Sequence, residues 1–174
     1  MSGTKTYDVV VVGAGVFGAW TALALALRGK TVALLEAYGP GHSRSSSGDE
    51  SRIIRMGYGA DEIYTRWSQR SLHLWTELFA AVPNESLFQK TGVLWLAEAG
   101  NASQQATREV LTRCDVKFVE LHREELICKY PQINFAGIDS GIYEPESGVL
   151  LARRSVAAVV AIAVRLPRCS DWLS

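Results

Sequence analysis

Apolar and polar positions along the chain change texture several times. Tyr7 to Val12 reads Tyr-Asp-Val-Val-Val-Val, a nearly continuous β-branched run. Such a run predicts a strand buried on both faces, as in a parallel sheet covered by helices. Gly13-Ala14-Gly15-Val16-Phe17-Gly18 follows at once, and Ala19 to Arg28 is then rich in Ala and Leu, with Gly29 placed as a helix stop. Lys30 to Leu35 returns to strand character and ends on Glu36. The pattern is strand, glycine turn, helix, strand.

Gly39 to Gly59 shows little periodicity and is rich in Gly, Ser, Arg and Asp, which predicts a long irregular segment of the kind that often carries function. Asp61 to Val82 has helical spacing, with Ile63, Trp67, Leu74 and Leu78 on one face as core, Asp61 as the cap and Pro83 as the stop. Shorter elements follow. Gly92 to Ala97 predicts a strand, and Asn101 caps a helix through Cys114, with Gln104 reaching back as in a capping box. Val116 to Leu121 predicts a strand and Arg123 to Lys129 a short helix closed by Tyr130-Pro131. Gly141 to Pro145 and Gly148 to Leu151 predict strands around a turn, and Arg153 to Val164 a helix.

The glycine turn has a mechanical logic. Gly13 permits the sharp exit from the strand, Gly15 leaves room for a pyrophosphate, and Gly18 allows close helix packing. The amides of Val16, Phe17 and Gly18 then face the phosphates at a helix N-terminus. Glu36 follows Gly18 by 18 residues, where a carboxylate can accept hydrogen bonds from ribose hydroxyls and would repel a 2′-phosphate. A dinucleotide site is expected. The turn by itself leaves FAD and NAD both open.

Composition narrows the class. The 174 residues are 48% hydrophobic and 21% charged with zero formal net charge, so no global field favours nucleic acid or an anionic membrane. Cys114, Cys128 and Cys169 are odd in number and widely spaced, which predicts buried thiols rather than a disulfide framework or a metal site. The start of the chain lacks the pattern of a secretion signal, and the apolar run from Val156 to Val164 is too short for a membrane span. Cytoplasm is the expected compartment.

The stretch His42-Ser43-Arg44-Ser45-Ser46-Ser47-Gly48-Asp49-Glu50-Ser51-Arg52-Ile53-Ile54-Arg55, taken with the N-terminal glycine turn, resembles the monomeric sarcosine oxidase and N-methyltryptophan oxidase group. That group lies within the glycine oxidase and D-amino acid oxidase superfamily. Lys90-Thr91-Gly92-Val93-Leu94, Tyr130-Pro131 and Glu144-Pro145-Glu146-Ser147-Gly148-Val149-Leu150 extend the resemblance from about Asp8 to Val160.

The resemblance implies FAD, bound by Gly13, Gly15, Val16, Phe17, Gly18, Glu36, Ala37, His42, Ser46, Ser51 and Arg52. Arg52 is implied as a catalytic positive charge near the flavin and Arg55 as the partner of a substrate carboxylate. Where several members carry a histidine, this chain has Ser47-Gly48-Asp49.

The fold implied is α/β, a Rossmann-type FAD-binding βαβ unit with the start of a mixed-sheet substrate domain, apparently truncated. Residues 1–85 are expected to belong to the FAD domain and 86–150 to the substrate domain. Residues 151–174 form a helix returning toward the FAD domain and an aberrant tail that fits nothing expected, with a third strand supplied from outside the chain. The activity implied is FAD-dependent oxidation of a C–N bond in a small amine or amino acid by a monomer, with O2 as candidate acceptor. The alternative is a non-catalytic fragment that keeps only part of a nucleotide-binding module.

Overall fold

In a computed structural model, residues 5–82 and 86–173 are described, so Pro83 and the helix stop expected there lie outside them. The chain divides into two compact units, one of residues 1–52, 82–87 and 150–174 and the other of residues 53–81 and 88–149. The break expected at residue 85 is therefore placed differently, since residues 53–81 go with the second unit.

The first unit is built on β1 (Val9–Val12), α1 (Val16–Leu27) and β2 (Val32–Glu36). β1 and β2 pair in parallel, Val9 opposite Val32 and Val12 opposite Leu35. Val32, Ala33 and Leu34 are buried, as are Ala19, Ala22, Leu23 and Ala26 on the inner face of α1. β1 departs from the expectation of burial on both faces. Val11 lies under α1, but Val10 and Val12 point the other way and are 54% and 82% exposed. Among the described residues β1 ends its sheet, with β2 as its one partner strand.

The later elements of this unit correct the view of an aberrant tail. α5 (Ala152–Arg165) buries Ala152, Ser155, Val156, Val159, Val160 and Ala163, a helical stripe that packs on α1. Pro167 follows the end of the helix, and β9 (Cys169–Leu173) then pairs in parallel with β2, Cys169 opposite Val32. The third parallel strand is thus supplied by this chain, in the order β1-β2-β9. A short segment of low periodicity was enough because β2 already presented an open backbone edge.

The second unit holds α2 (Glu62–Ala80), β5 (Val93–Ala97), α3 (Ala102–Arg113), β6 (Val119–His122), α4 (Arg123–Lys129) and β7 (Ser140–Glu144). β5, β7 and β6 make an antiparallel sheet in that order, with Leu94 opposite Tyr143 and Leu121 opposite Gly141. Met56, Leu111 and Ile142 form one buried cluster; Leu121, Leu126 and Phe135 form another. β3 (Arg52–Ile54) lies within the segment expected to be irregular, and it joins β8 (Gly148–Leu150) and β4 (Phe88–Gln89) in the order β3-β8-β4. The strands on either side of the 145–147 turn therefore enter different sheets and do not form a hairpin.

Two helix details also differ. On α2 the buried positions are Thr65, Ser68, Trp75 and Leu78, whereas Ile63 and Trp67 are exposed. The Thr65 hydroxyl donates to the Met56 carbonyl at 2.8 Å, which turns that face inward. Asp61 occupies the N-cap position but makes no side-chain cap bond. On α3 the Asn101 side chain accepts from the Gln104 amide at 2.9 Å, while the Gln104 side chain accepts from Ser140 Oγ at 2.7 Å and does not reach back. Cys114 and Cys169 are buried, but Cys128 is exposed, contrary to the expected burial. No helix among the described residues is long and apolar enough to cross a membrane.

Leu111 is fully buried in the second unit, so Leu111→Ala is expected to cost about 2–5 kcal/mol of stability. Urea unfolding followed by far-ultraviolet circular dichroism measures this.

Candidate functional site

In the first unit the site starts at the end of β1. Gly13 has φ +98°, a conformation that a side chain would strain. Its amide donates to Leu35 O at 2.7 Å, which ties the turn to β2. A Cβ added at Gly18 would stand 1.8 Å from the Gly13 carbonyl oxygen, so α1 can come this close to the turn only with glycine there. At Gly15 the nearest atom to such a Cβ is Ser45 Cβ at 3.9 Å, so the approach to the helix N-terminus stays open. No side chain caps α1 and its first turn holds no acid. The amides of Val16 and Phe17 thus keep their positive end for an external anion, and the Phe17 side chain is exposed.

Glu36, at the end of β2, closes the turn from the other side. Its Oε2 accepts from the Ala14 amide at 2.7 Å and its Oε1 from the Tyr38 amide at 2.9 Å. The Ala14 amide, then that of Tyr38, holds the carboxyl below the usual glutamate range, while burial opposes them and the Ala37 amide and the His42 charge add smaller effects. Two lone-pair positions remain on the carboxylate for further donors such as ribose hydroxyls. Exposed Ala37 lies beside it.

The loop after β2 folds back on this turn. The Gly41 amide donates to Ala14 O at 3.3 Å. His42 Nδ1 accepts from the Arg44 amide at 3.2 Å, and its ring packs 4.9 Å from that of Tyr38. Ser46 and Ser51 contribute their carbonyls to the guanidinium of Arg52, which also forms an ion pair with Asp49. Both ends of that pair are exposed, so solvent weakens it. Arg153, on α5, donates to the Gly48 carbonyl at 2.7 and 3.2 Å and anchors the loop from outside.

Arg55 lies in the second unit. Its guanidinium carbon sits 4.7 Å from the ring centroid of Trp95 and 5.0 Å from that of Tyr58. Among the described residues no carboxylate forms an ion pair with it. Arg55, Tyr58, Trp95, Gln104, Thr107 and Ile142 line a cavity of about 290 Å³. A cation held by its flat faces keeps its N–H edge for a planar anion. Tyr58 and Trp95 carried no signal as site residues in the sequence, where each reads as an ordinary loop or strand aromatic.

Residues 8–166 match the family model described as FAD dependent oxidoreductase. The chain belongs to that family. Among its relatives, human peroxisomal sarcosine oxidase is 33% identical over 153 residues, which is 88% of this chain and 39% of the relative. Monomeric sarcosine oxidase from Bacillus sp. (strain B-0618) is also 33% identical over 153 residues, 87% of this chain and 39% of the relative. L-proline dehydrogenase from P. horikoshii superimposes with a TM-score of 0.83 at 22% identity, over 97% of this chain and 44% of that one. The chain therefore spans about 39% of the length of these two oxidases.

FAD is the family's cofactor. The open flank of Gly15, the uncapped N-terminus of α1 and an ionised Glu36 fit its pyrophosphate and ribose.

Glu36→Gln tests the closure of the turn. Because the folded carboxyl titrates below its unfolded value, its stabilisation is present above the ordinary glutamate pKa of about 4.3 and is lost as pH falls through the lower folded value. The stability gap between wild type and Glu36→Gln is expected to be larger at neutral pH and to narrow in acid. Urea midpoints across that range measure it. Gly18→Ala is expected to abolish FAD binding in equilibrium dialysis, because its methyl group has no room against Gly13.

Proposed function

We propose that this chain carries the cofactor-holding and substrate-anchoring residues of a sarcosine-oxidase-like enzyme, which oxidises the C–N bond of a small secondary amine or amino acid. The observation that carries the proposal is Arg55, a cation lying over the rings of Tyr58 and Trp95 in the lining of a cavity and without an ion-pair partner among the described residues. Bound FAD supplies the two-electron acceptor for such an oxidation.

In this reading the Val16 and Phe17 amides hold the pyrophosphate and Glu36 the ribose. His42, Ser46, Ser51 and Arg52 line the cofactor's path, with Ala37 beside the ribose. Arg52 contributes positive charge toward the reduced cofactor once its exposed pair with Asp49 opens. Arg55 grips the substrate carboxylate in bidentate fashion and so sets which carbon of the substrate is presented.

A monomer in the cytoplasm, with O2 as the electron acceptor, completes the reading; the human relative bears the name peroxisomal. The share of the relatives that the chain spans favours a second reading, a non-catalytic fragment that keeps only part of a nucleotide-binding module.

The absorption spectrum of the purified chain separates the two readings. Flavin released by acid precipitation supports cofactor binding, and a chain that stays colourless with added FAD refutes the first reading. Arg55→Ala is expected to weaken binding of sarcosine by about 2–3 kcal/mol and to leave a carboxylate-free amine unaffected. Equal losses for both ligands in calorimetry would remove the carboxylate role.

A further inference from the structure

Glu144, at the end of β7, is 1% exposed, yet no cation pairs with it among the described residues. Four donors converge on it instead. Oε1 accepts from the Gly57 amide at 2.8 Å and from Trp95 Nε1 at 2.7 Å. Oε2 accepts from the Met56 amide at 2.7 Å and from Ser147 Oγ at 2.5 Å. Burying a carboxylate without a counter-ion is costly, and four donors offset that cost only while all of them stay in place. An apolar residue would fill the same volume without this demand.

The donors are not scattered. Met56 is the residue after Arg55, so the carboxylate holds the backbone from which the Arg55 side chain springs. Trp95 is the ring on which the Arg55 guanidinium rests, 4.7 Å from its centroid. One side chain thus fixes both the root and the platform of the cation. A carboxylate on the indole N–H also pushes electron density into the ring, which strengthens its attraction for a cation on its face. The packing leaves no slack. A Cβ at Gly57 would lie 2.9 Å from Glu144 Oε1 and 3.0 Å from Trp95 Nε1. Thr65 and Thr107 complete the hold, with bonds to Met56 O at 2.8 Å and from the Gly59 amide at 3.1 Å.

We infer that Glu144 is the positioning residue for Arg55, setting the height and tilt at which the guanidinium edge meets a substrate carboxylate. Its importance for binding rests on the proposed role of Arg55, but its effect on Arg55 geometry can be measured without a ligand. The nuclear magnetic resonance spectrum of the labelled chain gives that measurement. Lying over the rings of Trp95 and Tyr58 displaces the Arg55 side-chain protons upfield through ring currents.

In Glu144→Gln the amide nitrogen faces donors that need an acceptor, and most of that upfield displacement is expected to be lost. The methyl signals of Leu121 and Leu126, in the other buried cluster of this unit, are expected to stay dispersed. If Glu144→Gln loses those signals as well, Gly57→Ala carries the decision, because its methyl wedges Glu144 from Trp95 with the carboxylate retained. Arg55 protons that keep their wild-type positions in the folded variant would overturn the inference.

Adding sarcosine separates the two claims. A wild-type Arg55 that does not respond refutes the carboxylate site and leaves the positioning result standing. With a responsive wild type, sarcosine affinity in the variant is expected to fall about 10- to 100-fold.

Discussion

Backbone approaches backbone at Gly18, where a side chain of any size would collide with the carbonyl of Gly13. That contact sets how far α1 leans over the exit of β1, and the rest of the first unit follows from it. The uncapped start of the helix is held beside the end of β2, and Glu36 bridges the gap to the Ala14 amide. The loop from Gly41 to Arg52 then has a surface to fold against, and Arg153 reaches in from α5 to hold its Gly48 carbonyl. Remove the close approach and the uncapped end of the helix has no fixed relation to the Glu36 carboxylate beside it.

The second unit solves a different problem. It places a charged side chain in the lining of a cavity, with no ion-pair partner among the described residues. Arg55 lies over two aromatic rings, which attract a cation, and among the described residues it forms no ion pair. The negative charge nearby, on Glu144, is spent on backbone amides, an indole and a hydroxyl, so it shapes the site without neutralising it. This division suits a family whose cofactor is FAD and whose sarcosine oxidase members share about a third of their aligned residues with this chain.

Much of the first unit was legible in the sequence because its determinants are local. A β-branched run, glycines at fixed offsets, an Ala- and Leu-rich helix and an acid at the end of the next strand lie within about thirty residues and follow backbone rules. β9 was not legible. Arg168 to Leu173 has no strand periodicity to announce it, and it becomes a strand because β2 offers an unpaired edge. The inner face of α2 was legible only at its C-terminal end, where Leu78 is buried; near its start Thr65 and Ser68 are buried in place of Ile63 and Trp67, and Thr65 bonds to Met56, outside the helix.

By itself, then, the sequence determined the dinucleotide-type turn, the order of most elements and, through resemblance, the family. Tertiary structure decided which residues surround Arg55. Trp95 and Glu144 lie 40 and 89 positions beyond Arg55 in the chain, and no local pattern links either of them to it. Hydrophobic periodicity reports which face of an element is buried. It does not report which buried polar groups meet, because a buried carboxylate finds its donors only after strands distant in sequence have paired.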